Sequence, residues 1–252
     1  MRVLRSMRRR RRPRLLALLP VRDEMRYLPD YFENAAPHVD GVVVLDDGSS
    51  DGSDEYAASR PEVLEVIRLP RRTPHDWDDA RNHRLLIEAA RRHRPDWLLG
   101  LDADERLERD FRARAEAVIE RADVSDISAY SLRLREVWGS PTTIRVDGIW
   151  GKKRTARLFR SMEDHVFDDR TLHPHWAPLN ARRPNGSFPR ANLIIYHLRM
   201  LHLEDRIARR DRYKALDPDR RFQPIGYDYL TDETGIELKE IPKKRGYRPL
   251  GR

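Results

Sequence analysis

The sequence predicts an α/β protein, with a mostly parallel central sheet flanked by helices and a smaller mixed β region in its C-terminal half. Three observations carry that prediction. Short, continuous apolar runs closed by turn residues alternate with segments of helical period. Enough chain separates successive runs for right-handed crossovers, which makes their pairing parallel. Three of the first four runs end in polar or acidic clusters, at the edge where open parallel sheets hold ligands.

Leu15-Leu16-Ala17-Leu18-Leu19 is apolar throughout and closes at Pro20, as a strand buried on both faces would. After the loop Val21 to Glu24, the residues Tyr27, Leu28, Tyr31, Phe32 and Ala35 recur at helical spacing between Glu24 and Ala36, and Pro37 ends that helix. Gly41 to Leu45 is a second strand, rich in valine. It stops at Asp46-Asp47-Gly48-Ser49-Ser50-Asp51-Gly52-Ser53, a run of turn and cap residues in which Ser50 or Asp51 caps a helix toward Ser59. Val63 to Leu69 is a third strand, and Asp78 to Arg94 a long helix turning Ala80, Leu85, Leu86 and Ala89 inward. Trp97 to Leu101 is a fourth strand, ending in Asp102-Ala103-Asp104-Glu105. Beyond a helix over 111–122 the texture changes. Residues 129–137, 154–160 and 193–197 read as strands between loops rich in Pro, His, Asp and Arg, before a helix from Glu204 to Leu216. With no internal repeat and no clean linker, the expected organisation is a basic tail at 1–14, one α/β domain at 15–217 and a C-terminal extension at 218–252.

Charged residues are 37% of the 252, and hydrophobic residues 39%, enough for one core of this size. The formal net charge of +8 lies in the first 14 residues, which hold eight arginines and no acid; the remaining 238 carry 42 bases against 42 acids. A like-charge run of that kind stays solvated, and it is a means of touching anionic lipid or RNA. The neutral body offers no basic stripe, so no specific nucleic-acid partner is expected. The absence of cysteine excludes disulfides, thiolate metal sites and a cysteine nucleophile, and it fits a reducing cytoplasm. The apolar stretch from Leu15 to Leu19 is too short for a signal core or a membrane span. The expected location is cytoplasmic, with the N-terminal arginines offering peripheral contact at the inner face of the membrane.

Chemistry concentrates at the strand ends. Asp102 and Asp104, separated by the small Ala103 just past a buried strand, can both lean toward one hard cation; Mg²⁺ or Mn²⁺ held so keeps positions open for phosphate oxygens. A helix-capping role is the alternative. Asp46-Asp47 reads either as a turn or as a pair of acceptors for ribose hydroxyls or a base N–H, beside a helix N-terminus that favours phosphate. Trp77 reads as a stacking platform or a packing anchor. Arg206, Arg209, Arg210 and Arg212 read as a solvated helix face, with lining of a phosphate-bearing acceptor as the alternative.

Taken in order, Leu-Leu-Pro-Val-Arg-Asp-Glu, Val-Val-Val-Leu-Asp-Asp-Gly-Ser-Ser-Asp-Gly-Ser, Ala-Arg-Asn and Trp-Leu-Leu-Gly-Leu-Asp-Ala-Asp-Glu resemble family 2 glycosyltransferases of the GT-A fold, over residues 15–110. The resemblance implies a nucleotide-diphosphate sugar donor, a divalent metal and inversion at the anomeric carbon. It makes Pro20, Arg22, Asp23 and Glu24 the first nucleotide-contacting loop and places Asp47 at the base or ribose with Asp46 beside it. Arg81 and Asn82 match an arginine–asparagine pair against the donor. Asp104 becomes the principal metal ligand, with Asp102 near ribose or metal; Glu105 either extends the motif or starts a helix. His197 resembles the late histidine that completes some GT-A metal sites and would favour Mn²⁺, its other reading being a structural strand-end histidine. His173 and His175 flank Pro174 where relatives often carry a His-Glu pair; the glutamate is missing here. An inverting transfer needs a base for the acceptor hydroxyl, and of Glu163, Asp164, Asp168 and Asp169 the favoured ones are Asp168 and Asp169. The acceptor class, whether glycan, lipid-linked sugar or protein, stays open. A catalytically silent nucleotide-sugar binding module and a nucleic-acid binder acting through the arginine tail are the competing readings.

Overall fold

The apolar runs 15–19, 42–45 and 97–100 become interior strands of one sheet because none has a polar side to leave in water, while 63–68, with Glu65 within it, takes the edge. The computed structural model describes residues 11–72 and 78–248. Strands β1 (Leu15–Val21), β2 (Val42–Asp46), β3 (Val63–Arg68) and β4 (Trp97–Gly100) lie side by side in the order β3-β2-β1-β4 and all run parallel. The helices α1 (Leu28–Ala35), α2 (Ser53–Ala58) and α3 (Asp79–Arg92) connect them. Past β4 come β5 (Glu105–Leu107), α4 (Phe111–Ser125), β6 (Ala129–Glu136), β7 (Thr143–Arg145), β8 (Arg154–Arg160), β9 (Arg190–His197), α5 (Leu203–Leu216) and β10 (Leu238–Glu240). The sheet continues from β4 as β8-β6-β9-β5, and β7 pairs with β10 in a small antiparallel sheet. Four of the seven neighbouring pairs in the main sheet are parallel, so the topology is the GT-A-like α/β arrangement expected, with its mixed region in the C-terminal half.

Both faces of this sheet are covered. Leu16, Leu18, Val43 and Leu45 pack with Leu86, Ile87, Ala89 and Ala90 of α3. The alternate residues Leu15, Ala17, Leu19, Val42 and Val44 pack with Tyr31 and Phe32 of α1 and Phe111 and Ala115 of α4. Each such buried leucine contributes about 2 kcal/mol.

Five local readings differ from the structure. The residue at the N-cap of α2 is Gly52, at φ +86°, rather than Ser50 or Asp51. Pro20 does not close β1: it stays paired with Leu45, and Val21 follows it. Ala17 donates its N–H toward β2, so the even positions point to β4, whose pairing ends at Leu18; the donor that Pro20 lacks has no partner to miss. Helix α1 starts at Leu28 rather than Glu24, since Pro29 fits only the first turn. Glu105 begins no helix but opens β5, opposite His197. β9 begins three residues before Leu193. Among the described residues no helix is long and apolar enough to cross a membrane. Residues 1–10 and Trp77 lie outside the described residues, while Arg11 pairs with Asp96 at 2.8 Å and Arg12 with Glu116 at 2.7 Å.

Candidate functional site

Because β1, β2 and β4 are parallel and adjacent, the loops that follow them share one edge. Those loops are stitched together. The Asp23 carboxylate accepts from the Ser50 N–H at 2.7 Å and from Arg71 at 3.0 Å, and the Glu24 N–H donates to Ser53 Oγ at 3.0 Å. Gly48 makes the turn at φ +77°, where a Cβ would stand 2.3 Å from the Arg71 backbone.

The two aspartates ending β2 do different things. Asp46 accepts the Gly48 and Ser49 N–H groups at 3.0 and 3.1 Å, the turn role. Asp47 is buried, with one oxygen 3.3 Å from the Asn82 amide and 3.6 Å from Arg22. Its other oxygen, Oδ1, is buried with no hydrogen-bond partner among the described residues, as are Asn82 Oδ1 and Arg81 Nη1. A buried carboxylate oxygen left unpaired is costly unless a ligand donates to it.

Asp102 and Asp104 also part company. Asp102 accepts from Arg157 at 2.8 Å, and the same guanidinium nitrogen reaches Glu105 at 2.7 Å. Asp104 is buried and turns to the C-terminal half: His197 Nε2 lies 3.1 Å from its Oδ2 and Arg199 Nε 2.7 Å. The other ring nitrogen of His197, Nδ1, meets Glu136 at 2.5 Å, and Glu136, wholly buried at the end of β6, also takes Lys153 at 2.5 Å. Arg199 bridges onward to Glu24, and Arg209 stands 3.9 Å from Asp104. Burial works to lower the His197 pKa, but Glu136 and Asp104 overcome it and raise it to about 9. Burial likewise works to raise Asp104, yet Arg199 and His197 hold it well below the usual carboxylate range. Glu24 and Glu105 go the other way, each pushed up to about 7 by burial against their arginine partners.

Glu105, Lys153, Arg157, Arg199 and Arg209 line a cavity of about 730 Å³ at the carboxyl ends of β1 and β4, with Glu136 outside its wall. Pro20, Arg22, Glu24, Asp102, Ala103, Asp104 and His197 are in its wall; Asp23, Asp46, Asp47, Arg81, Asn82, Asp168 and Asp169 are not. The Asp168 carboxylate takes Arg170 at 2.6 Å and the His175 N–H at 3.2 Å; the hydrogen bond from Arg170 leads in holding its pKa down at about 2. It thereby fixes the loop that presents His173, His175 and Trp176 to the cavity. Gly100 is needed opposite that loop, for a Cβ there would meet the Trp176 ring at 2.3 Å. The solvated-face reading of α5 holds for Arg210, which pairs with its neighbour Asp211, but not for its companions. Arg206 is buried under Trp138, and Arg209 and Arg212 line the cavity. Glu136, Arg157 and Arg199 escaped the sequence reading; only the position of Glu136 at a strand end, and of Arg199 two residues after His197, hinted at them. Among the described residues no group of three or more His, Cys, Asp or Glu could hold a metal ion.

No protein-family model matches the chain. Uncharacterized proteins of Mycobacterium tuberculosis and Mycobacterium bovis are each 30% identical to it over 246 residues, covering 92% of this chain and 59% of theirs. The chain thus spans 59% of the length of these curated relatives. Among solved structures, that of Staphylococcus aureus TarS 1–349 is 12% identical with a TM-score of 0.47, over 80% of this chain and 65% of that one. Glucosyl-3-phosphoglycerate synthase from M. tuberculosis, in complex with Mn²⁺, uridine diphosphate and phosphoglyceric acid, is 11% identical with a TM-score of 0.47, over 91% and 87%. At these identities and scores neither structure assigns an activity or a residue's role to this chain.

Proposed function

We propose that the chain transfers a sugar from a nucleotide-diphosphate sugar to an acceptor hydroxyl, with inversion at the anomeric carbon, as a family 2 glycosyltransferase does. The observation that carries this reading is the pairing of Asp104 with His197 in the cavity wall, 3.1 Å apart, with Glu136 holding the far imidazole nitrogen. A divalent cation fits that pair. The carboxylate is a hard ligand, and a buried carboxylate behind the imidazole is the usual partner of a metal-binding histidine. Asp104 and His197 would hold Mn²⁺ or Mg²⁺, leaving its other positions to water and donor phosphate. Bound there, the ion supplies Lewis-acid stabilisation of the departing diphosphate.

The chain's own residues account for the rest. Asp47 Oδ1 is the acceptor for a nucleoside N–H or O–H, with Arg22 and Asn82 holding its carboxylate in place. Arg157 keeps two buried donors, Nε and Nη1, without partners among the described residues, and these meet the diphosphate together with Arg199 and Arg209. Glu24 takes the role of base first expected of Asp168 or Asp169, which do not line the cavity. Its Oε2 is unpartnered among the described residues, and a pKa of about 7 suits proton abstraction near neutrality. We assign this machinery to residues 15–217.

Thermal unfolding against UDP, GDP, CDP and dTDP, each with and without Mn²⁺, tests the reading. A metal-dependent rise with one nucleotide, abolished in Asp104→Ala, is the expected result. No rise with any of the four, or a rise that Asp104→Ala leaves intact, overturns it.

A further inference from the structure

Around Asp104 every carboxylate faces a cation, but one stretch of the same cavity wall is cationic without a match. Arg154 opens β8 directly across the antiparallel ladder from Arg133 of β6, and Arg190 opens β9 beside Ser131 of the same strand. Like charges set opposite one another in a sheet oppose its formation. Arg154 is half-buried, and its hydrogen bonds go to uncharged groups: the Ser131 hydroxyl at 3.2 Å, the Ser131 carbonyl at 2.5 Å and the Ala191 carbonyl at 2.6 Å. Burial first, then Arg133, Arg190 and Arg135, lower its pKa to about 10, and no carboxylate acts against them.

The cluster is therefore a fixed guanidinium, locked by backbone carbonyls, with three further arginines acting on it and no carboxylate paired with it among the described residues. Arg154 and Arg190 line the cavity. Arg154 lies three residues along β8 from Arg157, about 10 Å on an extended strand. That distance separates it from the diphosphate end while keeping it within the same cavity. A preorganised arginine fork suits a tetrahedral dianion, which takes several N–H donors at once.

We propose that Arg154, with Arg133 and Arg190, forms an anion subsite for the acceptor, and that the acceptor carries a phosphate ester or a phosphate headgroup near the hydroxyl that receives the sugar. The proposal rests on the sugar-transfer reading above. It is tested on the full chain by isothermal titration with glycerol 3-phosphate, with UDP and Mn²⁺ absent and then saturating. Vesicles of phosphatidylcholine with and without phosphatidic acid form a parallel arm.

Binding of glycerol 3-phosphate that persists under saturating UDP and Mn²⁺, and that weakens about tenfold or more in Arg154→Gln, is expected from the loss of a charge-assisted contact. Arg190→Gln, an exposed position that leaves the fold alone, should weaken it by a smaller factor. UDP affinity should stay unchanged in both variants. Binding to phosphatidic acid vesicles alone, with the same dependence on both arginines, supports the headgroup source. Competition between glycerol 3-phosphate and UDP overturns the proposal, because the anion then occupies the donor's own phosphate site. Undiminished binding in both variants, of ester or of vesicles, overturns it too. Ester binding that depends on Arg154 in a chain that binds no nucleotide would instead sink the donor reading and leave the anion subsite standing.

Discussion

Replacing Glu136 by glutamine tests the metal reading without touching either proposed ligand. Glu136 has no exposed surface and spends its two oxygens on Lys153 and His197, each at 2.5 Å. Charge-assisted hydrogen bonds contribute about 1.5–3 kcal/mol each. The Lys153 side chain is 35% exposed, so its ammonium can turn to water and that bond is discounted; the buried His197 bond carries the effect. Glu136→Gln should therefore lower stability by about 2 kcal/mol in urea unfolding. Losing the carboxylate behind a ligating histidine should also weaken the Mn²⁺ dependence of nucleotide binding by about 10- to 100-fold. Titrating Mn²⁺ at fixed nucleotide measures this. A variant that loses its 2 kcal/mol yet keeps the wild-type Mn²⁺ requirement would refute the reasoning, leaving Glu136 as a structural partner of Lys153 and His197.

Asp47→Asn removes charge from an oxygen that waits unpaired, so nucleotide should bind about tenfold or more weakly while the fold survives; equal affinity by titration would clear Asp47 of any donor role. Glu24→Gln should lower kcat with little change in donor affinity, and retained turnover would pass the base to another group. His83 is buried against Trp176 at 3.5 Å, and burial pushes it down to about 3. The unfolded chain binds a proton there below its ordinary pKa of about 6.5 while the folded chain does not, so stability falls with pH from that point, by about 2 kcal/mol between pH 7 and 5. His83→Gln should lose correspondingly less over that interval; identical pH dependence in denaturant titrations would contradict the assignment. Gly48→Ala should cost more than about 1 kcal/mol, since the residue combines positive φ with a Cβ 2.3 Å from the Arg71 backbone.

Strands β1, β2 and β4 were legible because each is built on a continuous apolar run, and burial on both faces leaves no other way to use one. Two of the boundaries that slipped are places where one proline acts alone: Pro29, which sets the start of α1, and Pro20, tolerated because β4 has already ended beside it. Asp47 and Asp104 could be picked out because each lies just past an apolar strand, the one next to the end of β2 and the other in the turn after β4. His197 could be picked out only through the resemblance, and Arg157 and Arg199 not at all: they reach Glu105 and Asp104 from 52 and 95 positions away through the mixed pairing of β8, β6 and β9, and no local spacing encodes that pairing. The misreading of Arg209 has the same origin: a helix rich in both signs looks solvated until the sheet edge that faces it is known.

Charge balance ties the proposed donor, metal and acceptor together. Glu24, Asp102, Asp104 and Glu105 in the wall, and Glu136 outside it, face Lys153, Arg157, His197, Arg199 and Arg209, and the ion pairs among them leave little net charge in that group around Asp104. A nucleotide-diphosphate sugar entering alone would place an anion beside Asp104, whose carboxylate is fully ionised. Arriving with a divalent cation, it adds almost nothing to that balance, so in this reading donor and metal should bind together, each tightening the other, rather than in independent steps. In that reading His197 would hold the ion through a deprotonated Nε2, and Asp104 would meet the ion in place of that proton. None of this neutralises Arg133, Arg154 and Arg190, whose repulsion lies outside the exchange. In the proposed reading, donor and metal would satisfy the site around Asp104, and the charge on Arg133, Arg154 and Arg190 would be left for the acceptor.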